Sequence, residues 1–352
     1  MNKKLVGLGV VSLAALTLAA CGSRTSNTSS STSSDSSVKA AIVTDVGGVD
    51  DRSFNQSAWE GLTAWGEENK LAENTDYTYF QSASESDYVT NLDSAVSGGY
   101  NLVFGIGFAL ESAIAEVAPN NPDTHYVIVD SVVADQDNVV SVGFADHEAS
   151  YLAGVAAAKS TKTNHVGFIG GMEGVIIDRF EAGFVAGAKS VNPDIKITID
   201  YAGSFADAAK GQTLAAAQYA AGADVIFHAS GGTGNGVFAA AKAENETRNE
   251  ADKVWVIGVD RDQSAEGEYT SKDGKASNFV LASTLKEVGT SVKDIANKAL
   301  AGDFPGGEIL QFTLKDGGVD LAETNLSDDA SKAVADAKKA ILDGKVEVPE
   351  KP

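Results

Sequence analysis

Three aspartates each close an apolar run: Asp45 after Ala41-Ile42-Val43-Thr44, Asp130 after Tyr126-Val127-Ile128-Val129, and Asp260 after Val256-Ile257-Gly258-Val259. An ionised carboxylate only accepts hydrogen bonds, so several converging ones suit a ligand rich in donors, such as ribose hydroxyls and purine N–H groups. Lys286 closes a further run, Ala282-Ser283-Thr284-Leu285. Asn55 adds an amide, and the glycine-rich stretch from Gly231 to Gly236, with Gly232 within it, offers backbone. Such loops often cradle phosphates, but the neighbouring carboxylates would repel one. Phe54 and Phe205 stand at loop-to-helix junctions and offer flat faces for a heterocycle, where stacking is worth roughly 1–3 kcal/mol per base. Phe180 is a weaker third plate. Plainer roles compete. Asp51 or Ser53 would cap the helix that follows, and any single Phe is a core residue first.

Other chemistries find little support. His125, His147, His165 and His228 show no metal-ligand spacing, and His228 reads as a buried, hydrogen-bonded residue. There is no Gly-x-Ser-x-Gly elbow and no Walker loop. We therefore expect no metal, no cofactor and no catalytic residue. The formal charge is −22, and losing the two lysines of the N-terminal leader would take it to −24. So acidic a chain repels phosphate backbones, which excludes nucleic acid as a partner.

Regular elements must hold these residues. Short Val/Ile-rich runs at 40–45, 77–81, 102–105, 126–130, 139–144, 165–169, 195–201, 225–228, 254–259 and 279–282 predict strands. Helical patterns such as 55–68, 88–97, 109–118, 148–159, 180–189, 208–221, 237–242 and 288–301 separate them. Alternation of this kind predicts an α/β fold with parallel sheets covered on both faces. A weak repeat divides the chain. Strand, glycine loop, Asp51-Arg52, Phe54 and helix in the first half answer strand, glycine loop, Asp178-Arg179, Phe180 and helix in the second. Two Rossmann-like lobes follow, with glycine loops at the carboxyl ends of the strands and a cleft between them.

The N-terminus is a separate system. Lys3 and Lys4 precede an apolar run over 5–20, too short for a comfortable membrane span. Leu18-Ala19-Ala20-Cys21 resembles the lipobox of bacterial lipoproteins, which implies a signal peptide over 1–20 and a lipid on Cys21, the one cysteine of the chain. Residues 21–37 are Ser/Thr-rich and predict a disordered tether. The expected division of the rest is 38–145 plus 285–303 for the first lobe and 146–284 plus 304–352 for the second.

The segment from Val43 to Gly61, including Thr44-Asp45-Val46-Gly47-Gly48-Val49-Asp50-Asp51-Arg52-Ser53-Phe54-Asn55-Gln56, resembles the opening signature of the basic membrane protein family of ABC-transporter lipoproteins. Gly231-Gly232-Thr233-Gly234 and Gly258-Val259-Asp260 extend the match, and the purine nucleoside receptor A lipoproteins are the most similar branch. The resemblance implies a type I periplasmic-binding-protein fold with three crossovers and a purine clamped between two phenylalanines. It implies Phe54 and Phe205 as the plates, Asn55 and Asp130 at the base edge, and Asp45, Gly232, Asp260 and Lys286 near the ribose. It also implies a monomer anchored outside the cell membrane that serves an ABC permease and ATPase by delivering guanosine, adenosine or inosine. Two alternatives stand beside it. The calcium loop of nucleoside hydrolases, Asp-Thr-Asp-Pro-Gly-x-Asp-Asp, is partly matched, but Val43 replaces its first Asp and the proline is missing. A binding protein for another polar solute, such as a sugar, would use the same residue types.

Overall fold

The computed structural model describes residues 38–352. Two six-stranded sheets form the frame. The first runs in the order Ile309–Phe312, Val139–Phe144, His125–Val129, Leu102–Ile106, Ala40–Thr44, Tyr77–Phe80, and every pair in it is parallel. The second runs Val319–Glu323, Val280–Lys286, Trp255–Gly258, Val225–Ala229, His165–Gly170, Lys196–Tyr201, parallel except for the first pair. Central strands such as Ala40–Thr44, Leu102–Ile106 and Val225–Ala229 are buried along their whole length. That is why they read as continuous apolar runs rather than alternating ones. The expected α/β architecture of two Rossmann-like lobes is the one observed.

Three crossovers join the lobes. The chain passes from strand Val139–Phe144 into helix Asp146–Ser160, from strand Val280–Lys286 into helix Val288–Leu300, and from strand Ile309–Phe312 to strand Val319–Glu323. They lie side by side. Ala145 N donates to Phe312 O at 2.8 Å, Glu287 N to Gly318 O at 3.0 Å, and Leu314 N to a Glu148 carboxylate oxygen at 2.8 Å.

Two boundaries differ from the sequence reading. The segment 304–352 does not go wholly to the second lobe, because Ile309–Phe312 adds an edge strand to the first sheet beside Val139–Phe144. The second crossover falls after Lys286 rather than before residue 285, since Lys286 still pairs with Val319 in the second sheet. Strands Ile309–Phe312 and Val319–Glu323 and the hairpin Glu268–Thr270 with Ala276–Asn278 are absent from the predicted set. They are short, and the first is a half-exposed edge, so no long apolar run announces them. The leader, Cys21 and the whole tether lie outside the described residues.

Helices pack through glycine. Helix Asp146–Ser160 lies on helix Val175–Val191, and a Cβ on Gly154 would stand 2.2 Å from Phe184 O, one on Gly187 2.0 Å from Tyr151 O. Only hydrogen fits there, which accounts for the Ala/Gly-rich run in Asp146–Ser160.

Candidate functional site

The carboxyl ends of strands from both sheets meet around one cavity of about 520 Å³, part of it open to solvent. The space inside it that a water-sized group can occupy is about 50 Å³, so a larger ligand needs the lobes to part. Asp45, Phe54, Asn55, Asp130, Phe205, Asp260 and Lys286 all line it. Of the ligand-binding residues expected from the sequence, only Gly232 does not; Gly231 and Ser230 take that place. Gly231 has φ +53°, which turns the strand exit toward the cavity one residue early.

The loop after Ala40–Thr44 is held by its own carboxylates. Asp45 Oδ1 accepts from Gly47 N at 2.8 Å and Asn55 Nδ2 at 2.8 Å. Asp51 caps the following helix, accepting from Ser53 N at 2.8 Å, Asn55 N at 2.9 Å and Gln56 N at 3.1 Å. Ser53 is thereby released from capping, and its Oγ donates across the cleft to Asp260 Oδ2. Asn55 is buried with its Nδ2 shared between Asp45 and Asp51, while its Oδ1 has no partner.

Asp130 and Asp260 are matched across the lobes. Both follow a strand, and both adopt the left-handed conformation, φ +67° and +68°. Such values in non-glycine residues cluster at functional sites and favour Asp and Asn. Asp130 Oδ2 accepts from Lys286 Nζ at 2.6 Å, and its Oδ1 is buried without a partner.

Lys286 occupies a cage. Its Nζ lies 2.6 Å from Asp130 and 3.0 Å from Asp146. It also lies 5.1 Å from the ring centre of Phe54, 5.2 Å from Phe144 and 5.7 Å from Phe180. Burial would lower its pKa, but Asp130, Asp146 and Asp260 outweigh burial and hold the ammonium above its usual range. The carboxylates move the other way. Burial pushes Asp45 up to about 6 against the Gly47 and Asn55 hydrogen bonds. It pushes Asp260 up to about 6 against Lys286 and Ser53. His228 is wholly buried, and burial takes it down to about 4, so it is neutral. It contacts Gln263 and Ser230 and does not line the cavity.

Further contacts tie the first-lobe loop to the second lobe. Gln263 Nε2 donates to Arg52 O at 2.9 Å, Arg52 pairs with Glu266, and Arg261 Nη2 lies 3.1 Å from Glu60. The lobes are thus shut on one another over the cavity.

Residues 38–352 match the family described as ABC transporter substrate-binding protein PnrA-like. The ABC transporter nucleoside-binding protein BmpA of Lactococcus lactis subsp. cremoris (strain MG1363) is 60% identical over 353 residues, covering 100% of both chains. This chain belongs to the PnrA-like family of ABC transporter substrate-binding proteins. Basic membrane protein A of Borreliella burgdorferi is 32% identical, over 99% of this chain and 96% of that one. Among solved structures, an ABC transporter solute-binding protein from Aeropyrum pernix K1 superposes with TM-score 0.77 at 25% identity, covering 89% of this chain and 94% of that one. The relatives are substrate-binding proteins, and so is this chain; it is not an enzyme.

For a PnrA-like protein, the sequence missed two parts of the cavity wall. Phe108 follows strand Leu102–Ile106 through Gly107, whose φ is +110°. Its ring meets Phe205 edge-on, with centres 6.1 Å apart at 73°. The signal was present, since Phe108 stands past a strand end just as Asp130 does. Ile176 and Ile177, at the start of helix Val175–Val191, add an apolar floor with Phe180.

Proposed function

We propose that this substrate-binding protein captures purine nucleosides outside the cell membrane and hands them to an ABC permease and its ATPase. One observation carries the reading: three acceptor-only aspartates and the rings of Phe54 and Phe205, contributed by both lobes, line one cavity. A nucleoside is the complement, with a flat neutral base for the rings and N–H and O–H donors for the carboxylates. The name of the Lactococcus relative, nucleoside-binding protein, supports the same reading. In this reading Phe54 and Phe205 hold the base, Asn55 and Asp130 its edge, and Asp45, Asp260 and Lys286 the ribose. The backbone role expected of Gly232 passes to Gly231. The protein works as a monomer tethered by a lipid on Cys21, and none of its described helices is long and apolar enough to cross a membrane.

Calorimetric titration with guanosine, adenosine, inosine, cytidine, ribose and GMP tests this. Purine nucleosides should bind and ribose and GMP should not. Tight ribose binding with no response to guanosine would replace the reading with a sugar-binding one. The pH dependence has a definite sign. Asp45 and Asp260, at about 6, are charged, acceptor-only partners for ligand donors only when ionised. Guanosine affinity should therefore hold from pH 8 to 7 and fall by severalfold as pH drops through 6. A flat profile down to pH 5 would remove both carboxylates from the ligand.

Gly171→Ala isolates Phe205. A Cβ at Gly171 would sit 2.3 Å from the Phe205 ring, so the ring must move while the backbone need not. Guanosine affinity should fall about tenfold, within the range for one lost stacking contact, with a near-normal melting temperature. Unchanged affinity would show that Phe205 is not a plate.

A further inference from the structure

Asp146 opens helix Asp146–Ser160, immediately after the first crossover. Its side chain is fully shielded from solvent, and it does not line the cavity. Even so, its Oδ1 stands 3.0 Å from Lys286 Nζ, and apart from that ion pair neither of its oxygens has a hydrogen-bond partner. Lys286 is the last residue of its strand, just before the second crossover. The ion pair therefore links two chain passages at the hinge itself. Burial raises Asp146 to about 7 against the attraction of Lys286.

The surroundings of the ammonium show what Asp146 does there. Asp130 faces Lys286 from the end of strand His125–Val129, and Asp260 from the end of strand Trp255–Gly258. Phe54, Phe144 and Phe180 surround the rest, and Asp45 and Asp51 lie farther out, next to Asp130 and Asp260. A lysine head is a compact charge on a flexible stem and moves to whichever carboxylates surround it. Asp130 and Asp260 are on the cavity side, and Asp146 pulls from behind.

We propose that Asp146 is a positioning residue for the ligand cleft: it retains the Lys286 ammonium at the hinge, so that Lys286 engages one oxygen of Asp130 and leaves the other free for a ligand donor. The inference rests on the nucleoside reading for its ligand. It does not rest on that reading for the link between Asp146 and Lys286.

Two measurements decide it. Asp146→Asn keeps the shape and removes the charge. Lys286 should then settle into the cavity and occupy Asp130, and guanosine affinity should fall about tenfold, the scale of one charge-assisted hydrogen bond. The second measurement is thermal unfolding without ligand. In Lys286→Met, Asp146 has no cation to face, and holding it buried, whether charged or protonated, costs folding at pH 8. Adding Asp146→Asn to Lys286→Met should therefore raise the melting temperature, although Asp146→Asn alone lowers it or leaves it unchanged. A packing or helix-capping role would make the double variant melt lower than Lys286→Met. That result, or wild-type affinity in Asp146→Asn, overturns the proposal. If wild type fails to bind guanosine, the nucleoside reading falls, and the melting comparison still decides whether Asp146 acts through Lys286.

Discussion

Lys286→Met should cost the fold about 3–5 kcal/mol at pH 8, the usual penalty for removing one partner of a buried ion pair. The side chains of Lys286, Asp130 and Asp146 are no more than 5% exposed, so water cannot replace the lost cation. Three aspartates, Asp130, Asp146 and Asp260, would then face one another around a methionine. The cost should shrink on acidification, and its sign follows from the carboxylates. Asp146 and Asp260 already bind protons more tightly when folded than the ordinary 3.8, through burial, at about 7 and about 6. Without the lysine they rise further. A carboxyl whose folded pKa is raised destabilises the fold fully above that pKa, and this effect disappears below the unfolded value. Lys286 itself has a raised folded pKa, so its contribution is complete everywhere below 10.5 and constant across the range tested. The melting deficit of Lys286→Met should therefore be largest at pH 8 and clearly smaller at pH 5. Equal deficits at the two pH values would mean that the cage is held by its rings, not by charge.

The same cage marks where the sequence stops being readable. Asp45, Asp130 and Asp260 could be found because each follows a strand that is buried on both faces, and such strands are unbroken apolar runs. Phe54 and Asn55 could be found because a glycine loop and a helix start fix their place. Asp146 fails that rule by position. It comes two residues after Phe144 and opens a helix, where an acidic residue has an ordinary explanation in the helix dipole. Its partner lies 140 residues away, across a crossover that no local pattern reveals. The edge strand Ile309–Phe312 was lost for a related reason. Its alternating exposure is weak over four residues, and only the neighbouring strand Val139–Phe144 makes it a strand. The Gly231-for-Gly232 difference is finer still, decided by a single positive φ at the end of Val225–Ala229. Architecture was thus legible from burial patterns, and so was most of the cavity wall. The charge network behind the wall was not, because it is built from chain passages that meet only in the folded protein.

Asp130→Asn should weaken guanosine binding by roughly 10- to 100-fold, the effect of losing a hydrogen bond to a charged acceptor at about 1.5–3 kcal/mol. Asparagine suits this test because it tolerates the φ of +67° and fills the same volume. Lys286 keeps Asp146 at 3.0 Å, so the fold should lose little stability compared with Lys286→Met. The substituted amide has one oxygen, and the ammonium will hold it where Asp130 Oδ2 now accepts at 2.6 Å. The amide NH₂ then takes the place of Oδ1, the buried oxygen that has no partner within the protein. A ligand donor that met an acceptor now meets another donor. The loss is therefore more than a missing bond, and a ligand lacking donors at that edge should be affected far less than guanosine. Calorimetric titration at pH 7.5, beside a melting curve of the same sample, reads both quantities. Affinity within twofold of wild type would mean that Asp130 serves only to anchor Lys286 and that the base edge is read elsewhere.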